Sequence, residues 1–145
     1  MNESGFWDKV RDAINAHPRG IARKLTDMFV AGTPDARYCV EGHAGLLELK
    51  YVPKWPTRID TVKIELTENQ RTELLLWIEK GRGTAYVLLG VEKDWFLLDL
   101  DAIPPAPGSK QFPRLPVVYL EDVRARGDGG TFKDLKGLLP ALLAR

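Results

Sequence analysis

One stretch, Gly32–Pro56 (GTPDARYCVEGHAGLLELKYVPKWP), constrains the fold more than any other part of the chain. A Gly32-Thr33-Pro34 turn delivers Asp35, and a short segment, Ala36–Val40, follows. A bend containing Gly42 and His43 then leads into the apolar run Leu46–Val52, which Glu48 and Lys50 interrupt. In a strand, successive side chains point to opposite faces. Glu48 and Lys50 therefore share one face, and Leu47, Leu49 and Tyr51 take the other, toward a core.

Two charges inside an apolar strand are costly unless something pairs with them. A carboxylate beside an ammonium meets part of that demand. A second carboxylate meets more, because two carboxylates can hold a hard divalent cation. Mg²⁺ prefers oxygen ligands, keeps several waters, and is usually bound by one or two carboxylates plus substrate phosphate. Asp35, just after the proline turn, is the natural second ligand, and the Leu49 carbonyl offers a third oxygen. Lys50 is then placed to orient an attacking water or to stabilise charge on a phosphate.

Pro34-Asp35 followed by Glu48-Leu49-Lys50 resembles the signature of the PD-(D/E)XK nuclease superfamily. Tyr38-Cys39, the Gly/His bend, Trp55-Pro56 and Leu66-Thr67-x-x-Gln70 extend the pattern. Together they resemble small phage and prophage nucleases of the VRR-NUC and Holliday-junction-resolvase-like type, over roughly Glu3 to Leu100. The resemblance implies an α/β, restriction-endonuclease-like core: a mixed central sheet flanked by helices. It implies Mg²⁺- or Mn²⁺-dependent hydrolysis of DNA, branched DNA included, with Asp35, Glu48 and Lys50 catalytic. It also implies a glutamate from the first helix, here Glu3, at the metal, a glutamine, here Gln70, beside the substrate, and a homodimer.

A chain of 145 residues suits one domain, taken here as 1–145, with a core of its own. The formal net charge of +1 is lower than many nucleic-acid binders carry, but site carboxylates offset basic residues. Cys39 is the single cysteine, which excludes an intramolecular disulfide and points to a reducing compartment. His17 and His43 are the only histidines, too few and too far apart for a structural zinc site. The sequence shows no signal peptide or membrane span, so a soluble, cytoplasmic protein is expected.

Phe6, Val10 and Ile14 recur at helical spacing and predict a helix over Ser4–Ala16, capped by Asn2 or Ser4. Glu3 then has a second reading, as an acid favourable to the helix dipole. Ile21–Thr26 reads as a strand carrying Arg23 and Lys24, and Asp27–Gly32 as a loop or strand end. In the strand Ala36–Val40, Tyr38 and Val40 share a face, and Cys39 reads as a small core residue. Pro53 and Pro56 rule out a central strand beyond Val52. The basic, aromatic loop there offers Lys54, Trp55 and Arg58 to a phosphate backbone or a base; Trp55 otherwise covers the core edge.

Thr67–Lys80 is the clearest helix, with Leu74, Leu75 and Ile78 as its stripe. Thr67 and Gln70 form a T-x-x-Q capping box, a role compatible with Gln70 in the site. Thr84–Val91 and Trp95–Leu100 predict a hairpin whose first strand is buried on both faces. Ile103–Pro116 is rich in Pro and Gly and lacks periodicity. Val117–Leu120 reads as a short strand, Arg124–Gly130 as a flexible basic turn, and Phe132–Leu143 as a helix kinked or shortened by Pro140. Arg19, Arg23, Lys24, Lys54, Arg58 and Arg82 form the pool for backbone contacts, with Arg71 beside them. Two rival readings keep the fold without chemistry: a nucleic-acid-binding module, which would lack a ligand, and a viral or prophage partner-binding protein, in which Glu48–Lys50 is only an ion pair.

Overall fold

The structure is a computed structural model that describes residues 1–26, 32–56, 61–80, 83–100, 103, 117–119 and 129–144. Its elements in chain order are α1 (Glu3–Asn15), β1 (Gly20–Lys24), β2 (Ala36–Val40), β3 (His43–Val52) and β4 (Thr61–Lys63). They continue with α2 (Glu68–Glu79), β5 (Thr84–Val91), β6 (Asp94–Leu98), β7 (Val117–Tyr119) and β8 (Gly129–Thr131). A 3-10 segment (Phe132–Gly137) leads into α3 (Leu138–Leu143).

Among the described residues, six strands form one sheet in the order β1-β2-β3-β5-β6-β8. Only β3 and β5 run parallel, and α2 lies in the crossover that parallel pairing requires. The other neighbours are antiparallel, so the sheet is mixed. Helices lie on both faces, which is the restriction-endonuclease-like architecture.

Two apolar layers hold the sheet. On one face Phe6, Trp7, Val10 and Ile14 of α1 meet Ala36, Tyr38, Val40, Leu47, Leu49 and Leu88, with Leu135, Leu138 and Leu142 closing the layer. On the other, Leu74 of α2 packs with Val62, Ile64, Leu66, Val87, Leu89 and Leu98. Each fully buried leucine contributes about 1.5–3 kcal/mol. Asn2 caps α1, its side chain accepting from the Gly5 amide at 2.9 Å.

Several local expectations are corrected. The β2–β3 turn is only Glu41-Gly42, both with positive φ (49° and 83°), as a tight two-residue hairpin demands. His43 is therefore the first residue of β3, opposite Val40, and not part of a bend. Cys39 lies on the face of β2 away from α1 and is half-buried, outside the core. Leu75 is 37% exposed, so the buried stripe of α2 is Leu74 with Ile78 beside it. Gly129 and Gly130 belong to β8, paired with Phe96 and Trp95, because Gly adds no side chain where the ladder passes close to those rings. Pro140 falls in the first turn of α3, where a missing amide costs little; the irregularity sits earlier, at Asp134. Residues 27–31, 104–116 and 120–128, which include most of the predicted loops, lie outside the described residues.

Candidate active site

β2 starts at Ala36, opposite Leu47, but β3 continues to Val52. Extending that register sets Asp35 across from Glu48. Beyond Leu47 the β2 ladder no longer occupies this edge of β3, and the Leu49 amide donates instead to Asp35 Oδ2 at 2.7 Å. A strand residue's carbonyl points to the same edge as its amide, so the Leu49 carbonyl faces Asp35 as well. The Asp35 carbonyl accepts from the Leu25 amide at 2.8 Å, which ties the acid to the end of β1.

The turn that delivers Asp35 is seated on α2. Gly32 has φ +81°, and a Cβ built there would lie 2.4 Å from the Asn69 carbonyl oxygen and 2.7 Å from the Gln70 nitrogen. Only glycine permits both the backbone angle and that approach. Pro34 is buried behind it.

Glu48 is 2% exposed, the one charged residue in the buried set among the described residues. Its Oε1 lies 3.5 Å from Lys50 Nζ. Its Oε2 is buried and no protein group donates to it; a protonated Glu48 carboxyl would pair with the Asp35 carboxylate. Burial first, and then the Asp35 carboxylate, push its pKa from 4.5 up to about 8, against the opposing pull of Lys50. Lys50 Nζ donates to Gln70 Oε1 at 3.0 Å. The same oxygen accepts from the Thr67 amide at 3.0 Å, while Thr67 Oγ1 accepts from the Gln70 amide at 3.1 Å. The capping box thus holds Gln70 in the position from which it fixes Lys50.

Glu3 is electrically coupled to this site. Partial burial and the Asp35 charge raise its pKa, and Lys50 and Lys24 lower it. Among the described residues, no three His, Cys, Asp or Glu side chains converge as a metal cluster. Two carboxylates and one main-chain carbonyl are nevertheless a set that Mg²⁺ accepts, with water or phosphate completing it. The orphaned Glu48 Oε2 supports that fit: a cation would satisfy a buried oxygen that this fold leaves without a donor.

The proposed nucleic-acid contacts divide. Arg23 and Lys24 are exposed at the end of β1 nearest Asp35, and Lys54 is exposed just beyond β3. Arg19 is exposed but precedes Gly20, which pairs with Val40 at the opposite end of that ladder. Trp55 has a structural place: its Nε1 donates to Asp94 Oδ2 at 2.9 Å and its ring meets Phe96 edge-on. Arg71 is likewise engaged, its guanidinium donating to the Ile103 carbonyl. Arg58 and Arg82 lie outside the described residues. Sequence reasoning passed over Arg37 and Trp77, which the β1–β2 and β2–β3 registers and the course of α2 bring to this same sheet face. No spacing within one segment could reveal them.

No family model matches the chain, and no curated protein does. Among solved structures it is similar to Hjc, a Holliday junction resolvase from the archaeal hyperthermophile Archaeoglobus fulgidus. The TM-score is 0.62 at 11% identity, over 93% of this chain and 95% of that one. That likeness establishes the fold. Among the described residues, no helix is long and apolar enough to cross a membrane.

Proposed function

We propose that the chain is a single-domain, metal-dependent DNA endonuclease of resolvase-like type, acting on branched DNA as a homodimer in phage or host recombination and repair. One observation carries the reading: Asp35, Glu48 and Lys50 converge where β3 outruns β2, with a buried Glu48 oxygen left without a donor. Asp35, Glu48 and the Leu49 carbonyl would hold Mg²⁺ or Mn²⁺. A divalent cation there supplies Lewis-acid polarisation of the phosphate and lowers the pKa of bound water. The protein's own groups do the rest. Lys50, fixed by Gln70, orients the nucleophile and stabilises charge developing on the phosphate oxygens. The Asp35 side chain, locked by the Leu49 amide, keeps its second oxygen for the cation. Glu3 adds negative charge at the rim. Arg23, Lys24 and Lys54 offer sequence-independent backbone contacts.

The test is incubation of the purified protein with labelled four-way junction, flap, nicked duplex, linear duplex and single strand, with Mg²⁺, Mn²⁺ or chelator. The proposal expects metal-dependent cutting, with the junction preferred. No cutting of any substrate, or equal cutting under chelator, overturns it.

A further inference from the structure

The face of the sheet that carries Glu48 and Lys50 does not end at the site. In the antiparallel registers, Leu25, Asp35 and Glu48 form one cross-strand row, and Arg23, Arg37 and Leu46 form the next. That second row opens into a groove of about 820 Å³ lined by Ile21, Arg23, Arg37, Cys39, Leu46 and Trp77, among others. Its floor is apolar. α2 forms one wall, running from Gln70 beside Lys50 to Trp77 beside the groove. Leu46 precedes Glu48 by two residues, about 7 Å along a strand, so the groove lies directly beside the site.

Two features define the occupant. Arg23 and Arg37 sit directly opposite each other on β1 and β2, an arrangement of like charges that destabilises a sheet. Both are exposed, and among the described residues neither is in an ion pair. An anion between them would remove the repulsion. The Trp77 indole is 48% exposed beside an apolar floor, while Trp7 and Trp95 are buried at 5% and 2%. A ligand with a flat apolar ring and an attached anionic group matches both features.

We propose that this groove binds an unstacked nucleotide flanking the scissile phosphate, its base against Trp77 and its phosphate between Arg23 and Arg37. The proposal rests on the nuclease reading and adds to it a preference for substrates with a locally single-stranded or splayed strand. Base–aromatic stacking contributes about 1–3 kcal/mol per base, and the paired guanidiniums supply charge-assisted contacts to phosphate.

Cys39, the chain's single cysteine, lines the groove and reports on its occupancy. The experiment follows the rate of Cys39 alkylation by N-ethylmaleimide in the full chain, with Ca²⁺ or chelator, with and without a short single-stranded oligodeoxynucleotide. Anisotropy of the same labelled oligonucleotide measures binding in parallel. The expected result is slowing of alkylation by about the bound fraction of protein. Arg37→Ala should raise the oligonucleotide concentration needed roughly tenfold, the loss of one charge-assisted contact. Trp77→Ala should weaken protection while Trp77→Phe restores it. Oligonucleotide binding that leaves Cys39 reactivity unchanged overturns the groove while leaving the cleavage assay, and the nuclease reading, intact. Protection that rises with protein concentration alone assigns the groove to a second copy and also overturns it. If the protein cuts no substrate and binds no oligonucleotide, both readings fail.

Discussion

Replacing Glu48 by Gln should stabilise the metal-free protein at alkaline pH. The unfolded carboxyl titrates near 4.5 and the folded one at about 8. Between those values the folded state keeps a proton that the unfolded state has lost. The stability this proton supplies is fully present below the unfolded value and is lost as pH rises through the folded one. The full span is about 5 kcal/mol, at 1.36 kcal/mol per unit of pKa. Near pH 6 roughly 2 kcal/mol has already gone, and by about pH 9 nearly all of it has, so about 2–3 kcal/mol falls within that window. Glutamine keeps the shape and cannot ionise. Urea denaturation of both proteins in chelator across this range gives the difference directly, and titrations elsewhere cancel in the subtraction. Glu48→Gln should gain on wild type by about 2–3 kcal/mol from pH 6 to pH 9. A difference that stays flat with pH would refute the buried, Asp35-facing environment on which the reasoning rests.

Lys50→Ala should lower the cleavage rate by about a hundredfold or more with little change in DNA binding; wild-type rates in a gel assay would remove Lys50 from the mechanism. Gln70→Ala should cost about 1 kcal/mol of stability through the lost capping box and also reduce kcat, because Lys50 loses its anchor; calorimetry and single-turnover kinetics separate the two effects. Gly32→Ala should destabilise by about 1–3 kcal/mol and depress activity, since its Cβ would strike the Asn69 carbonyl and displace the Asp35 turn; unaltered melting and activity would contradict the seating of that turn on α2. Ca²⁺ in place of Mg²⁺ should permit DNA binding and strongly slow cleavage, because Ca²⁺ takes larger, looser coordination, and equal rates with the two ions would argue against a tight carboxylate pair.

Much of the architecture was legible because its signals are local. Alternation alone placed Glu48 and Lys50 on one face of β3 and Leu47 and Leu49 on the other, and the structure follows that division. The Thr67–Gln70 cap and the apolar β5 run set their own elements. The closeness of Asp35 to Glu48 is a different matter. It depends on the β2–β3 register and on a tight positive-φ turn at Glu41-Gly42, where the sequence suggested a longer bend. Val117–Leu120 read as a short strand, and β7 lies there, but β4 and its pairing with β7 went unrecognised because β4 has three residues and its partner is far away in the chain. β8 was hidden because Gly129-Gly130 is the composition of a turn, and only the Trp95 and Phe96 rings explain why side chains are absent there. Trp55 and Arg71 drew functional readings from their chemistry, and the structure adds partners that the sequence did not suggest, Asp94 and the Ile103 carbonyl. Such pairing across the chain leaves no trace in spacing.

In the proposed metal site Asp35 and Glu48 share one divalent cation. Isothermal titration of Mn²⁺ into the metal-free protein near pH 7, in buffers of different ionisation enthalpy, tests it most directly. A shared cation gives one site per chain, release of close to one proton as Glu48 ionises, and loss of both in Asp35→Asn. Absence of binding, or equal binding and proton release in Asp35→Asn, would contradict it.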